Sequence, residues 1–136
     1  MSTESRIMAA ILLIAVPTVQ FGGLSLLGMI TRRTAGYLDN PLRSSMFRAG
    51  HAHAGVWIVL ALVALLYVDR AGLSTGLAWV VRIAFAAAPI LAPLGFFLSV
   101  TSPRSQQPNG AIALVYLGAL SLAIGALTLG IGLLTA

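Results

Sequence analysis

The sequence contains no cysteine and no lysine, and only three of its 136 residues are acidic. Without cysteine the chain cannot form disulfides, thiolate metal sites or thiol nucleophiles. An ordinary soluble domain is also excluded, because only 8% of the residues are charged and 59% are hydrophobic. All eight basic residues are arginines beside apolar runs, rather than parts of a soluble basic face, so no nucleic-acid partner is expected.

Long apolar runs make up most of the chain. A helix needs about 20 apolar residues to cross a bilayer, and we predict four such spans at about 8–30, 49–68, 77–100 and 111–134. The connections are too short to form a second domain. The sequence therefore predicts a single membrane domain over residues 1–136, an all-α four-transmembrane-helix bundle that is multi-pass in the cell membrane, with both termini on one side.

Basic residues are concentrated in the connection between the first two predicted spans. This segment holds Arg32, Arg33, Arg43 and Arg48, opposed only by Asp39. Since positively charged loops stay in the cytoplasm, the arginine count places this segment inside and both termini on the outer side.

Few polar or helix-bending residues lie within the spans. Gln20, near the middle of the first, is expected to hydrogen-bond to a neighbouring helix. Arg82, about one turn inside the third, is expected to extend to the interface beside Trp79. Pro89 and Pro93 each remove a backbone donor, so a kink is expected between them.

Small residues recur every seven positions in the last span. The repeat consists of Ala111, Gly118, Gly125 and Gly132, and Ser121 and Thr128 each follow a glycine by three positions. A seven-residue period keeps one stripe on one helix face, and small residues allow two backbones to approach closely. The pattern predicts a packing seam against the first span, the third span or another protomer.

Both histidines lie at the head of the second span, within the stretch MFRAGHAHAGVWIVLAL. On a regular helix His51 and His53 point about 200° apart, so they cannot both bind one metal ion. One of them can be a ligand, or both can be ordinary interfacial residues. No complete catalytic constellation accompanies them, so no enzymatic activity is assigned.

Three functions remain open on the residues alone. The first is a haem-binding or electron-carrying membrane protein. The second is a copper site in which His51 or His53 joins Met46 and Met29, whose thioethers suit Cu(I). The third is an accessory subunit of a larger membrane complex, with no cofactor and with the glycine seam as its docking surface.

The segment from Phe21 to Leu60, FGGLSLLGMITRRTAGYLDNPLRSSMFRAGHAHAGVWIVL, resembles helices I and II of the catalytic subunit of haem-copper oxidases. The resemblance implies that His51 or His53 is an axial haem ligand in a component associated with a respiratory chain, with Arg43 and Arg48 near the haem propionates. It also implies an outer position for the arginine-rich loop, opposite to the arginine count. Oxygen reduction is not implied, because the family's later histidines have no counterpart here.

The resemblance also bears on assembly. The family's subunit consists of three arcs of four helices, so a chain equivalent to one arc implies a homo-oligomer, with a trimer as the direct analogue. A six-coordinate haem needs two axial ligands, and the second would come from another protomer or from a larger complex.

Overall fold

The structure, a computed structural model that describes all 136 residues, is entirely helical. It contains four α-helices, each long and apolar enough to cross a bilayer, which confirms the predicted number and type of elements. Their bounds are Thr3–Thr31 for α1, Pro41–Tyr67 for α2, Thr75–Leu98 for α3 and Ala113–Leu134 for α4.

The second helix begins well before the apolar run that predicted it. Asn40 caps α2, its side-chain oxygen accepting a hydrogen bond from the amide of Arg43 at 3.0 Å, and Pro41 occupies the first turn. The helix therefore begins about two turns before the apolar span predicted from about residue 49. As a result Arg43 and Arg48 lie on the polar beginning of α2 rather than in a loop.

The helices pack mainly on their neighbours in sequence. The α3 helix packs along both α2 and α4, and α2 also packs along α1, whereas α1 and α4 do not pack along each other. The bundle is therefore open between its first and last helices. Nine residues of α3 are buried, but only three of α1.

Contacts between loops and helix ends define the two ends of the bundle. At one end the side-chain amide of Asn40 donates hydrogen bonds to the backbone carbonyls of Pro103 at 3.1 Å and Ser105 at 2.9 Å. At the other end the amide of Ser2 donates to the Asp69 carboxylate at 2.6 Å. The amide of Gly72 donates to the carbonyl of Gly132 at 2.8 Å, so both termini lie at this second end.

Candidate functional site

The His51 ring lies in a notch formed by two glycines of α1. A methyl group added at Gly23 would lie 3.1 Å from both Cε1 and Nε2 of His51, and one added at Gly22 would lie 3.6 Å from Nδ1. These contacts fix where α1 crosses α2. The glycine pair provides the space for the imidazole, because a larger residue at position 23 would contact the ring too closely.

The His51 ring lines three openings in the surface. One is a mostly apolar cleft of about 310 Å³ between α1 and α3, which is also lined by Gly22, Pro89 and Pro93. The other two, one along α1 that includes Gly23 and one along α2 that includes Ala52 and Gly55, are together called the outer groove of the α1–α2 pair. Nδ1 therefore lies beside the glycine of the cleft, and Nε2 lies beside the glycine of the outer groove.

Neither ring nitrogen of His51 has a hydrogen-bond partner, although the residue is only half-exposed. The Tyr37 hydroxyl is the only fully buried side-chain polar atom without a partner. The nitrogens of His51 are therefore accessible from outside the chain. A neutral imidazole in this state can accept a hydrogen bond or donate a lone pair to a metal.

The ring of His53 is held differently. Its Nδ1 lies 2.7 Å from the carbonyl of Ala49, so Nδ1 carries the hydrogen of a neutral ring. The ring packs edge-on against Trp57 and tilted against Phe96, with centroid distances of 5.1 and 4.9 Å. His53 thus faces α3 while His51 faces α1. His53 is therefore a packed residue that hydrogen-bonds within its own helix.

The two arginines expected near a cofactor also differ. Arg43 donates from Nε to the carbonyl of Val100 at 3.1 Å and from a terminal nitrogen to the carbonyl of Gly36 at 2.9 Å, and its guanidinium lies over the Phe47 ring. Arg43 therefore holds the loop end of the bundle together. Arg48 is exposed and bonds only to the carbonyl of Ser44, through Nε. It precedes His51 by three residues, so the two lie on one face of α2.

The methionines expected in a copper site belong to a hydrophobic cluster at the loop end of the bundle. Met29 and Met46 pack on a cluster at the loop end that contains Tyr37, Phe47 and Val100. No group of three or more histidine, cysteine, aspartate or glutamate side chains comes together anywhere in the chain.

The glycine seam of α4 lies against α3 and the turn before it. A methyl group at Gly118 would lie 2.7 Å from the backbone nitrogen of Ala92, and one at Gly125 would lie 3.0 Å from the Ala84 side chain. Gly132 meets Leu73 in the turn. Ser121 donates a hydrogen bond to the carbonyl of Ala84 at 3.0 Å, and Thr128 is half-buried on the same helix.

Gln20 and Arg82, the polar residues expected within the spans, lie in different surroundings. Gln20 is exposed and faces the outer groove, with no hydrogen bond to another helix of this chain. Arg82 is buried and forms an ion pair of 2.7 Å with Asp69, so the expectation that its side chain extends outward is wrong. Trp79 does lie beside it, with the guanidinium 5.5 Å from the ring centre.

The ion pair belongs to a polar cluster that the sequence did not reveal. The Ser5 hydroxyl donates to the Asp69 carboxylate at 3.1 Å, and Nε of Arg82 donates to Ser5 at 3.0 Å. The cluster joins the start of α1 to α3. Its members are far apart in sequence, and the only available signal was an acidic residue after one apolar run and an arginine inside the next.

The comparisons with protein-family models, with curated proteins and with solved structures give no match for this chain.

Proposed function

We propose that this chain is a multi-pass membrane protein that binds haem through Nε2 of His51, on the outer side of the α1–α2 pair. The observation that carries the proposal is the His51 ring, which is fixed in the Gly22–Gly23 notch while neither nitrogen has a partner. Because the ring is half-exposed, its free nitrogens can bind a ligand that approaches from outside the chain.

The residues around Nε2 fit a flat macrocycle. The α1 backbone at Gly23 packs on one edge of the imidazole, and the open side of the groove continues along α2 over Ala52 and Gly55, where a flat ring can approach the backbone. Arg48, one turn nearer the loop end, retains two terminal nitrogens for a propionate, and an arginine fork matches a carboxylate. Arg43 fits this role less well, because it is already bonded to two backbone carbonyls.

A bound haem would supply one-electron redox chemistry, and the protein would hold it within the bilayer as an electron-carrying component. His51 provides the ligand, the Gly22–Gly23 notch fixes the ring orientation, and the apolar walls keep water away from the metal. None of these residues forms a nucleophile or a general acid–base pair, so the proposal includes no catalytic step.

Membrane insertion and orientation are part of the proposal. The four apolar helices support a bilayer location, and the excess of arginine at the loop end supports a cytoplasmic position for that end, with the termini outside. Because the chain lacks cysteine, single cysteines at Thr34 and at Thr135 can be labelled from one side of intact cells with an impermeant maleimide. Labelling of position 34 alone would reverse the proposed orientation.

The deciding experiment compares His51→Ala with His53→Ala, each purified in detergent after expression with added haem precursor. The wild type is expected to show a Soret band and bound iron. His51→Ala should lose both, and His53→Ala should retain most of each. Added imidazole should restore the band in His51→Ala, which separates a lost ligand from a misfolded protein.

The other outcomes of this experiment decide between the haem site, the copper site and the accessory subunit. Equal haem retention in both variants would show that His51 is not the ligand. Bound copper in place of iron would favour the copper site. A wild-type protein with neither metal would favour the accessory subunit, for which the exposed Gln20 already suggests a protein neighbour.

A further inference from the structure

The outer groove of the α1–α2 pair has no covering element within the chain. Its α1 side has a volume of about 640 Å³ and its α2 side about 390 Å³, and His51 lines both. The α1 wall includes Gln20 and Gly23, and the α2 wall includes Ala52 and Gly55. Small residues therefore lie at the centre of the groove.

Two polar side chains face this groove without partners. Gln20 is exposed in the middle of an apolar helix, and His51 has no hydrogen bond on either nitrogen. Both side chains lie on helices apolar enough to cross a bilayer, and lipid tails offer neither donors nor acceptors to an amide or an imidazole. Their presence in one groove favours a protein surface rather than lipid as its cover.

The proposed haem also needs a second axial ligand, which one chain does not provide. A six-coordinate haem has two axial ligands, and the only other histidine, His53, faces α3 and is bonded through Nδ1 to Ala49. A second copy of the chain would bring a second His51 on the same groove. It would also bring a second Gln20, and a two-fold pairing matches each surface with itself.

We infer that two copies pair through the outer groove about a two-fold axis, and that each supplies His51 to one shared haem and Gln20 to hydrogen bonds across the interface. This inference rests on the proposed function. Space for the shared macrocycle between the two copies is available because Ala52 and Gly55 present little side chain there. The glycine seam of α4 takes no part, because it is already packed on α3.

The test uses mixed dimers of two differently tagged chains, isolated by successive affinity steps. Wild-type dimers are expected to hold one haem for every two chains, with the spectrum of a six-coordinate low-spin bis-imidazole haem. A dimer of wild type and His51→Ala should lose that signature and become five-coordinate or empty. A dimer of wild type and His53→Ala, the matched control, should keep it.

A second pair of variants tests the groove as the interface. Ala52→Phe fills its centre, while Ala119→Phe adds the same bulk to an exposed alanine of α4. Ala52→Phe is expected to convert the dimer to monomer on a sizing column in detergent and to abolish the bis-imidazole spectrum. Ala119→Phe should change neither.

Two results separate the inference from the proposed function. If haem binds through His51 at one per chain, or if the mixed dimer with His51→Ala stays six-coordinate, the inference is overturned and the proposed function stands. If the wild type binds no haem, both are overturned.

Discussion

The contact between α3 and α4 and the contact between α1 and α2 both depend on glycine, but in opposite ways. In the first, Gly118 and Gly95 bring backbones together, and an added methyl group at either would meet backbone nitrogen within 2.7 Å. In the second, Gly22 and Gly23 admit the ring of His51. The first arrangement leaves no space and the second creates it, so only the second resembles a binding site.

The same contrast holds for whole helices. The α3 helix lies between two neighbours and contributes nine buried residues, whereas α1 contributes only Ser5, Leu12 and Leu26. The attachment of α1 to the other helices thus depends strongly on the polar cluster at its start, which consists of Ser5, Asp69 and Arg82. We expect α1 to be the helix most easily detached.

Breaking this polar cluster should have the largest effect on stability. Asp69→Asn leaves Arg82, whose side chain is 7% exposed, without its counter-charge. Removing one partner of a buried pair costs about 3–5 kcal/mol, and less is expected here because the Asp69 side chain is 17% exposed. Thermal unfolding in detergent should show a clear fall in Tm.

The matched control is Asp39→Asn, since Asp39 is exposed and forms no ion pair. It should leave Tm nearly unchanged. A similar Tm for both variants would mean that the cluster does not anchor α1. The double change Asp69→Leu with Arg82→Met should recover part of the loss, because no buried charge then remains.

A methyl group at the α3–α4 contact should have the next largest effect. Gly118→Ala would place Cβ 2.7 Å from the backbone nitrogen of Ala92, which requires the helices to separate. Overpacking of this kind costs about 1–3 kcal/mol. Gly130→Ala meets no atom within 4 Å and gains about 0.5–1 kcal/mol from reduced backbone freedom. Opposite shifts in Tm are the expected result, and equal shifts would show that the seam tolerates expansion.

Patterns within one helix were enough to predict several features correctly. The apolar runs gave four helices, because helix length and hydropathy are local properties. The heptad of Gly118, Gly125 and Gly132 indicated a close contact, but not its partner, since a stripe of small residues fits any opposing backbone. The 200° between His51 and His53 follows from helix geometry, and the rings do face different helices.

Features that depend on pairing between helices were not predictable. The Gly22–Gly23 notch and His51 are both visible in the sequence, but only the crossing of α1 and α2 brings them together. Arg82 was misread because its partner Asp69 lies beyond a turn whose geometry the sequence does not specify. The polar first turns of α2 could not be placed by hydropathy, because hydropathy does not register the Asn40–Pro41 cap.

The smallest expected effect on stability, and the most direct on the site, comes from a methyl group on either side of the notch. Gly23→Ala would place Cβ 3.1 Å from Cε1 and Nε2 of His51, so the ring must shift by a few tenths of an ångström, whereas Gly22→Ala makes an ordinary contact of 3.6 Å with Nδ1. Both variants should keep the free energy of unfolding within about 1 kcal/mol of wild type, since each also gains from reduced backbone freedom. Haem titration should nevertheless separate them, with weaker binding or a shifted Soret band in Gly23→Ala alone, because only that methyl group displaces the ligating nitrogen. Identical titrations would mean that the position of Nε2 does not control haem binding, and that the notch serves only to pack α1 on α2.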